Sequence, residues 1–309
     1  MSATTMAAPR QRGMSRLEWR DAVAGYLLIA PNLVLYLAFV VFPVVFSLVL
    51  SFTEWSFLSG LKGLKYVGLA NFAALPGDQW FTQSLRNNLV YMLIVPISMA
   101  IALLLALILN RAAYGRPLLR TMIFMPYISS TVAVAVVWLV IFHPTYGPLN
   151  AFLMSLGIAE PPKWTASLTW ALPAVMIVSV WAALGYDMVL YLAGLQAIPS
   201  ELYEAAEIDG ASRWRQFRHI TLPLLSPTTF FLLVTGIISS FRAFALIQVM
   251  TQGGPGTATT LLAYYIYKLG FQFYRMGYAS AVAWVLLVIV FVFTLIQFRG
   301  QRRFTFFLG

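Results

Sequence analysis

Six stretches of this chain are apolar for long enough to cross a lipid bilayer: Gly25–Ser51, Leu89–Asn110, Thr121–Phe142, Trp170–Leu195, Leu224–Met250 and Tyr278–Phe298. A hydrocarbon core takes about 20 residues of α-helix. Inside lipid the backbone must satisfy its own hydrogen bonds, which leaves helices and closed barrels as the spanning forms. Barrel strands alternate apolar and polar side chains over about ten residues, whereas these runs are continuously apolar. The expected fold is an all-α integral membrane protein with six transmembrane helices. Charged residues make up 10% of the chain, against about 25% in soluble domains, so a water-facing globule could not cover its own surface. The gaps between the runs leave no room for a soluble catalytic domain.

Basic residues sort by loop, as the rule that keeps Lys and Arg on the cytoplasmic side requires. With the N-terminus inside, 13 of the 20 Lys and Arg fall on inner segments and 6 on outer ones, with Arg242 left inside a span. Both termini are therefore expected in the cytoplasm. The expected organisation is an N-terminal arm over residues 1–24, a membrane domain over 25–298 and a tail over 299–309. The first apolar run exceeds the roughly 7–15-residue core of a cleaved signal peptide, so it reads as a retained span. The net charge of +10 is spread between loops instead of forming the clustered surface that nucleic acid needs.

No phosphate loop, nucleophile elbow or His-Glu-x-x-His pair occurs in the sequence, and it contains no cysteine. The two histidines, His143 and His219, fall on opposite sides of the membrane in this topology and cannot share a metal. The chain is expected to be no enzyme and to bind no cofactor of its own. Pro31, Pro43, Pro96 and Pro126 lie inside spans. Each removes a backbone donor and bends its helix. Ordinary membrane-helix composition and a bundle that flexes around a cavity both accommodate them.

The loop Ile198–Pro223 carries the most information. Pro199 and Ser200 open a short helix, Ser200 being a suitable N-cap, with Glu201 and Glu204 where the helix dipole favours acid. Leu202, Ala205 and Ala206 give it a narrow face of small apolar residues, Gly210 suits a left-handed stop, and a second helix is expected through Trp214–His219.

Glu204-Ala205-Ala206, three residues, Gly210, nine residues, Ile220, one residue and Leu222-Pro223 resembles the EAA signature of permease subunits of binding-protein-dependent ABC importers. Met250-Thr251-Gln252-Gly253-Gly254-Pro255 resembles a sequence that follows the fifth span in the carbohydrate-uptake branch of that family, similar to the maltose and glycerol-phosphate permease subunits. Asn71-Phe72, Asn87-Asn88, Gly147-Pro148-Leu149-Asn150 and Gly277-Tyr278-Ala279-Ser280-Ala281 match it more loosely. The resemblance implies docking of two ATPase subunits through Glu204, Ala205, Ala206, Asp209, Gly210, Ile220, Leu222 and Pro223. It also implies ATP and Mg bound by those partners, a second permease subunit, an external substrate-binding protein, and the plasma membrane of a bacterium or archaeon.

Two charges, Asp187 and Arg242, lie within spans, where an ionisable group ordinarily faces a cavity or a partner. Thr235, Ser239 and Arg242 recur at spacings of four and three, a polar stripe that faces either the cavity or another helix. The fourth span offers Trp181, Gly185, Tyr186 and Asp187, aromatic and hydrogen-bonding groups suited to sugars. With Ser240, these residues are the candidate solute path, and alternating access is the expected mechanism. The competing reading is an ion-coupled secondary transporter that uses Asp187.

Overall fold

The computed structural model describes residues 16–111 and 115–304. They are mostly helical, with one two-stranded antiparallel sheet, β1 (Thr53–Glu54) and β2 (Lys65–Tyr66). The chain divides into two compact units, one up to Val49 and one from Leu50 onward.

In the first unit α1 (Arg16–Tyr36) runs through a π-helical turn, Leu37–Val41, into α2 (Phe42–Ser51). Pro43 lacks an N–H and its ring would crowd the carbonyl one turn earlier, a conflict that a wider π turn relieves. The helix already includes Arg16, nine residues before Gly25. Only 6% of its most apolar window is buried, as expected of a surface made for lipid.

The second unit holds α3 (Ala70–Ala74), α4 (Gln79–Tyr91) and α5 (Ile94–Arg111). α4 and α5 together form one apolar helix over Gln79–Asn110, which begins well before the expected Leu89. Asp78 explains the early start: its carboxylate accepts the N–H groups of Trp80 and Phe81 at 2.9 and 3.2 Å, capping donors that a helix leaves open.

The third apolar run is not one rod. α6 (Arg116–Ile128) and α7 (Thr131–Ile141) meet at 100°, because Ser129 and Ser130 turn extended immediately after the turn containing Pro126. α8 (Pro148–Ser155) leads to α9 (Ala171–Gln196), an unbroken span close to the expected one. The connecting loop folds as α10 (Ser200–Ile208), α11 (Arg213–Gln216), a π turn over Phe217–Thr221, and α12 (Leu222–Leu224). A bend of 58° then leads into α13 (Ser226–Phe241).

The fifth run is also divided. α13 stops at Phe241, Arg242 is its C-cap, and α14 (Ala245–Met250) follows. Arg242 thus ends a helix instead of lying within one, where its charge complements the negative end of the helix dipole. α15 (Leu262–Tyr267) and the long α16 (Met276–Phe304) complete the described chain. Four helices are long and apolar enough to span a membrane, and six spans result if each bent pair counts as one.

The core forms where these helices meet. Ala102 and Ala106, one turn apart on α5, are fully buried among Met188, Tyr191 and Leu192 of α9, their small side chains permitting close approach. A second cluster joins α7, α9 and α14 through Ala135, Val175, Val178 and Ile247.

Candidate functional site

A cavity of about 310 Å³, mostly apolar but with several hydroxyls and one carboxylate in its wall, lies among the helices of the second unit. Its walls come from the α4–α5 junction (Tyr91, Val95, Ser98), the α6–α7 bend (Tyr127, Ser129, Thr131), α9 (Ser179, Asp187) and α13 (Gly236, Ser239, Ser240). The 100° bend therefore has a direct consequence: it exposes Ser129 and Thr131 to the cavity, where a straight helix would not break its backbone. Tyr91 donates its hydroxyl to Ser179 at 2.7 Å, and Ser179 in turn donates to the Val175 carbonyl at 2.8 Å. The Ser98 hydroxyl sits between Asp187 Oδ2 at 2.8 Å and the Val95 carbonyl at 3.0 Å.

Of the residues that the sequence suggests for a solute path, Asp187, Ser239 and Ser240 line this cavity. The others lie beside it. Trp181 packs edge-on against Trp138 at 5.5 Å, and Tyr186 stacks on Tyr127 at 4.9 Å. Gly185 is a packing position: a Cβ there would lie 2.5 Å from the Ile123 carbonyl oxygen and 2.6 Å from Phe124 Cα, so only glycine lets α9 approach α6 this closely. Thr235 donates to the Phe231 carbonyl one turn back at 2.8 Å. Arg242 is exposed and is absent from the cavity wall. No ion pair joins it to Asp187 among the described residues, whose carboxylate is engaged by Ser98.

The loop between α9 and α13 forms a second feature. Gly210 takes φ +69°, and the Gly210 and Ala211 N–H groups close back on the Glu207 and Ala206 carbonyls at 3.0 and 2.8 Å, a left-handed helix stop. Ser200 makes no side-chain cap; Pro199 holds the N-cap position of α10. Instead Ser212 caps α11, its hydroxyl accepting the Arg215 N–H at 3.4 Å. The second helix is correspondingly shorter than expected and passes into a π turn. Tyr203 ties α10 to Thr221 through a 2.9 Å hydroxyl contact. Ala206, Asp209, Arg215, Gln216, His219 and Ile220 enclose a groove of about 380 Å³. Glu204, Ala205 and Leu222 are exposed and Pro223 is half-buried, the latter helping to start α12.

Elsewhere in the second unit, asparagines brace the chain. Asn87 donates to the Thr257 and Thr260 carbonyls at 2.8 and 3.0 Å, and Asn88 accepts the Leu262 N–H at 2.7 Å. Between them Thr251 meets Thr259 at 2.6 Å and Tyr264 donates to the Gln252 carbonyl at 2.9 Å. Gln252 and Gly253 both have positive φ. Asn150 donates to the Pro144 and Pro162 carbonyls while accepting from Trp164.

One cluster here escaped sequence reasoning. Asp78 Oδ2 accepts hydroxyls from Tyr265 at 2.5 Å and Tyr278 at 2.7 Å. Burial opposes ionisation of Asp78, but hydrogen bonds from Tyr265, Tyr278, Phe81 and Trp80 outweigh it and hold the carboxyl below its ordinary value. Burial, followed by the bond it gives to Asp78, pushes the Tyr265 hydroxyl well above the usual tyrosine range. Nearby, Lys268 lies 4.5 Å over the Trp80 ring, a cation–π contact, and burial lowers its ammonium below the ordinary lysine value. Neither the capping role of Asp78 nor its tyrosine partners almost two hundred residues away was legible in the sequence.

Apolar helices long enough to span a membrane, packed around a cavity and with a separate helix–turn–helix between two of them, mark an integral membrane protein. The chain belongs to the binding-protein-dependent transport system inner membrane component family, which residues 98–305 match. It is 41% identical over 290 residues to the probable ABC transporter permease protein YesP of Bacillus subtilis strain 168, covering 92% of each chain. It is 37% identical to the sn-glycerol-3-phosphate transport system permease protein UgpA of Agrobacterium fabrum, over 94% of this chain and 98% of that one. Identity to the lactose transport system permease protein LacF of Rhizobium radiobacter is 36%, over 91% and 95%. Among solved structures, a chain of a bacterial alginate ABC transporter in complex with an alginate pentasaccharide-bound periplasmic protein superposes with a TM-score of 0.80 at 28% identity. That match covers 93% of this chain and 98% of the other.

Proposed function

We propose that this chain is one half of the membrane path of an ATP-driven importer for a sugar or sugar-like solute that an external binding protein delivers. The observation that carries the reading is the pairing, in one family member, of a cavity whose largely apolar wall carries several hydroxyls and Asp187 with a grooved loop that bears the full EAA pattern. Lactose, sn-glycerol-3-phosphate and alginate in the names of its relatives support a carbohydrate-like solute.

In this reading six spans place both termini in the cytoplasm, with residues 1–24 and 299–309 outside a membrane domain over 25–298. Two ATPase subunits, which bind the ATP and Mg that this chain does not, dock on the loop 198–223. A second permease subunit, a paralogue, completes the cavity, and ATP-driven alternating access moves solute across the plasma membrane of a bacterium or archaeon. The α6–α7 bend and the π turns favour such motion, since they mark places where backbone hydrogen bonding is already interrupted.

Single cysteines in this cysteine-free chain test the arrangement. A cysteine replacing exposed Leu168 should react with an impermeant reagent in intact cells, one replacing exposed Glu204 should not, and the Glu204 position should cross-link to a co-purified ATPase subunit. Labelling of position 204 from outside would overturn the topology, and loss of sugar-stimulated ATP hydrolysis from the assembled complex is the outcome that an ion-coupled transporter requires.

A further inference from the structure

The segment that carries β1 and β2 exposes large apolar side chains although it lies outside the spanning helices. Leu58 is 68% exposed, Tyr66 75% and Leu69 66%, and apolar groups gathered on one surface segment mark contact with a partner or a membrane. Beside them lies a cleft of about 680 Å³. One wall is the hairpin and α3, with Glu54, Trp55, Lys65 and Asn71; the other is the turn before α16, with Tyr274 and Arg275. Both walls belong to this chain and are pinned together. The Gly277 N–H donates to the Trp55 carbonyl at 3.3 Å, and a Cβ at Gly277 would collide with the Thr53 carbonyl oxygen. The Asn71 carboxamide donates to the Ser51 and Thr53 carbonyls, each at 2.9 Å.

The depth of the cleft follows from the helix ends. α2 stops at Ser51 and α16 starts at Met276, and both belong to helices apolar enough to span a membrane. Arg275 therefore adjoins one span end. Glu54 lies within about 10 Å of the other, since a chain advances at most about 3.6 Å per residue. That is the level of the lipid headgroups, where Trp and Tyr concentrate.

The cleft also offers both signs of charge. Glu54 and Lys65 are opposite each other in the hairpin register and so share a face, and the Arg275 guanidinium lies over the Tyr278 ring at 4.6 Å. None of the three closes an ion pair among the described residues. A guanidinium and an ammonium suit a phosphate. A carboxylate beside aromatic rings suits a primary ammonium, which has N–H groups to donate.

We propose that this cleft binds the headgroup of phosphatidylethanolamine, with the phosphate on Arg275 and Lys65 and the ammonium on Glu54 beside Trp55 and Tyr274. Leu58, Tyr66 and Leu69 then rest in the bilayer surface around it. The inference rests on the reading of α2 and α16 as membrane spans, and in the topology given above the lipid belongs to the outer leaflet. A choline headgroup has no N–H for Glu54, and a glycerol headgroup brings it no cation, so the site selects among phospholipids.

The test uses the fully assembled importer in detergent, with dioleoyl phosphatidylethanolamine, phosphatidylcholine or phosphatidylglycerol added at equal concentration and retained lipid counted by native mass spectrometry. The ethanolamine lipid should be retained about twofold to fivefold more than either of the others, and Glu54→Gln should remove that preference, the scale of one exposed charge contact. Arg275→Gln should lower retention of all three. Equal retention of the three lipids by the unmodified complex overturns the proposal, as does a preference unchanged in both variants. Soluble phosphoethanolamine, which has no acyl chains, should not compete at the concentration of the lipid; full competition would make the ligand a free phosphate ester and overturn the lipid assignment. If the variants instead weaken binding of the external binding protein and leave lipid retention unchanged, the cleft is a protein-docking surface and the proposal falls.

A fluorophore on a cysteine replacing Leu58, with the complex in nanodiscs, should be quenched by phospholipids brominated near the headgroup end of their acyl chains. Unquenched fluorescence overturns the placement of this segment in the bilayer surface. Nanodiscs present both faces of the protein alike, so this result stands apart from the labelling of positions 168 and 204 that tests the orientation.

Discussion

Asn88 and Leu262 are joined by a 2.7 Å hydrogen bond from the Leu262 backbone N–H to the Asn88 carboxamide oxygen, across 174 residues of chain. Both residues are completely buried, so the bond has no water to replace it. It links α4 to the start of α15, and the other end of the same carboxamide reaches the Ser240 carbonyl of α13 at 3.5 Å. One side chain thus holds three helices in register.

Replacing Asn88 with Leu, similar in volume, should leave the Leu262 N–H without an acceptor. An orphaned buried donor costs about 1–3 kcal/mol, so hydrogen exchange at the start of α15 should accelerate by roughly tenfold to a hundredfold by the same energy. Exchange unchanged in this segment would show that the start of α15 is held by other contacts.

Gly185 should tolerate no side chain. A methyl group would sit against the Ile123 and Phe124 backbone at 2.5–2.6 Å, and backbone cannot move aside as a flexible side chain can. Gly185→Ala should cost about 1–3 kcal/mol, as overpacking does, and Gly185→Val more. The Tyr127–Tyr186 stack spans the same α6–α9 contact, and its separation should lower the thermal midpoint of the complex while leaving ATPase docking intact.

The Asp78 cluster should make stability depend on pH in one direction. Its folded carboxyl titrates below the ordinary value, so its contribution is fully present above about pH 3.9, the unfolded carboxylate value, and is lost as pH falls through the folded value. Asp78→Asn should therefore destabilise the protein by about 1–2 kcal/mol at neutral pH, and the gap from the unmodified protein should close below about pH 4. Thermal unfolding from pH 7 to 3 measures it; a gap that widens on acidification would mean that the tyrosine bonds do not stabilise the charged form.

Gly210→Val places a β-branched residue at φ +69°, a conformation that such residues rarely adopt. The stop of α10 should then shift and misaim α11. In the reconstituted complex, sugar-stimulated ATP hydrolysis should fall several-fold more than ATPase binding, and Glu204→Lys should instead weaken binding itself by reversing charge on an exposed face. Unaltered coupling in both variants would remove the loop from the mechanism.

Hydropathy and loop chemistry alone determined that the chain is a helical membrane protein and where its connecting loop turns, because a run of apolar residues, an acidic helix start and a glycine at a left-handed stop each act over a few neighbours. Pro126 marked the third run for a bend, but neither its 100° angle at Ser129 and Ser130 nor the break at Arg242 was legible: these residues lie in stretches whose average composition is that of a continuous helix, and packing against other helices decides how far the backbone bends. The same physics explains the site. Asp187 and Ser239 were visible as polar groups in apolar surroundings, but whether such a group meets a cavity, a neighbouring carbonyl or a helix end depends on contacts made across the bundle. Gly185 shows the difference most directly, since its sequence context suggested a path residue, whereas the tertiary structure uses its missing Cβ to bring two backbones together.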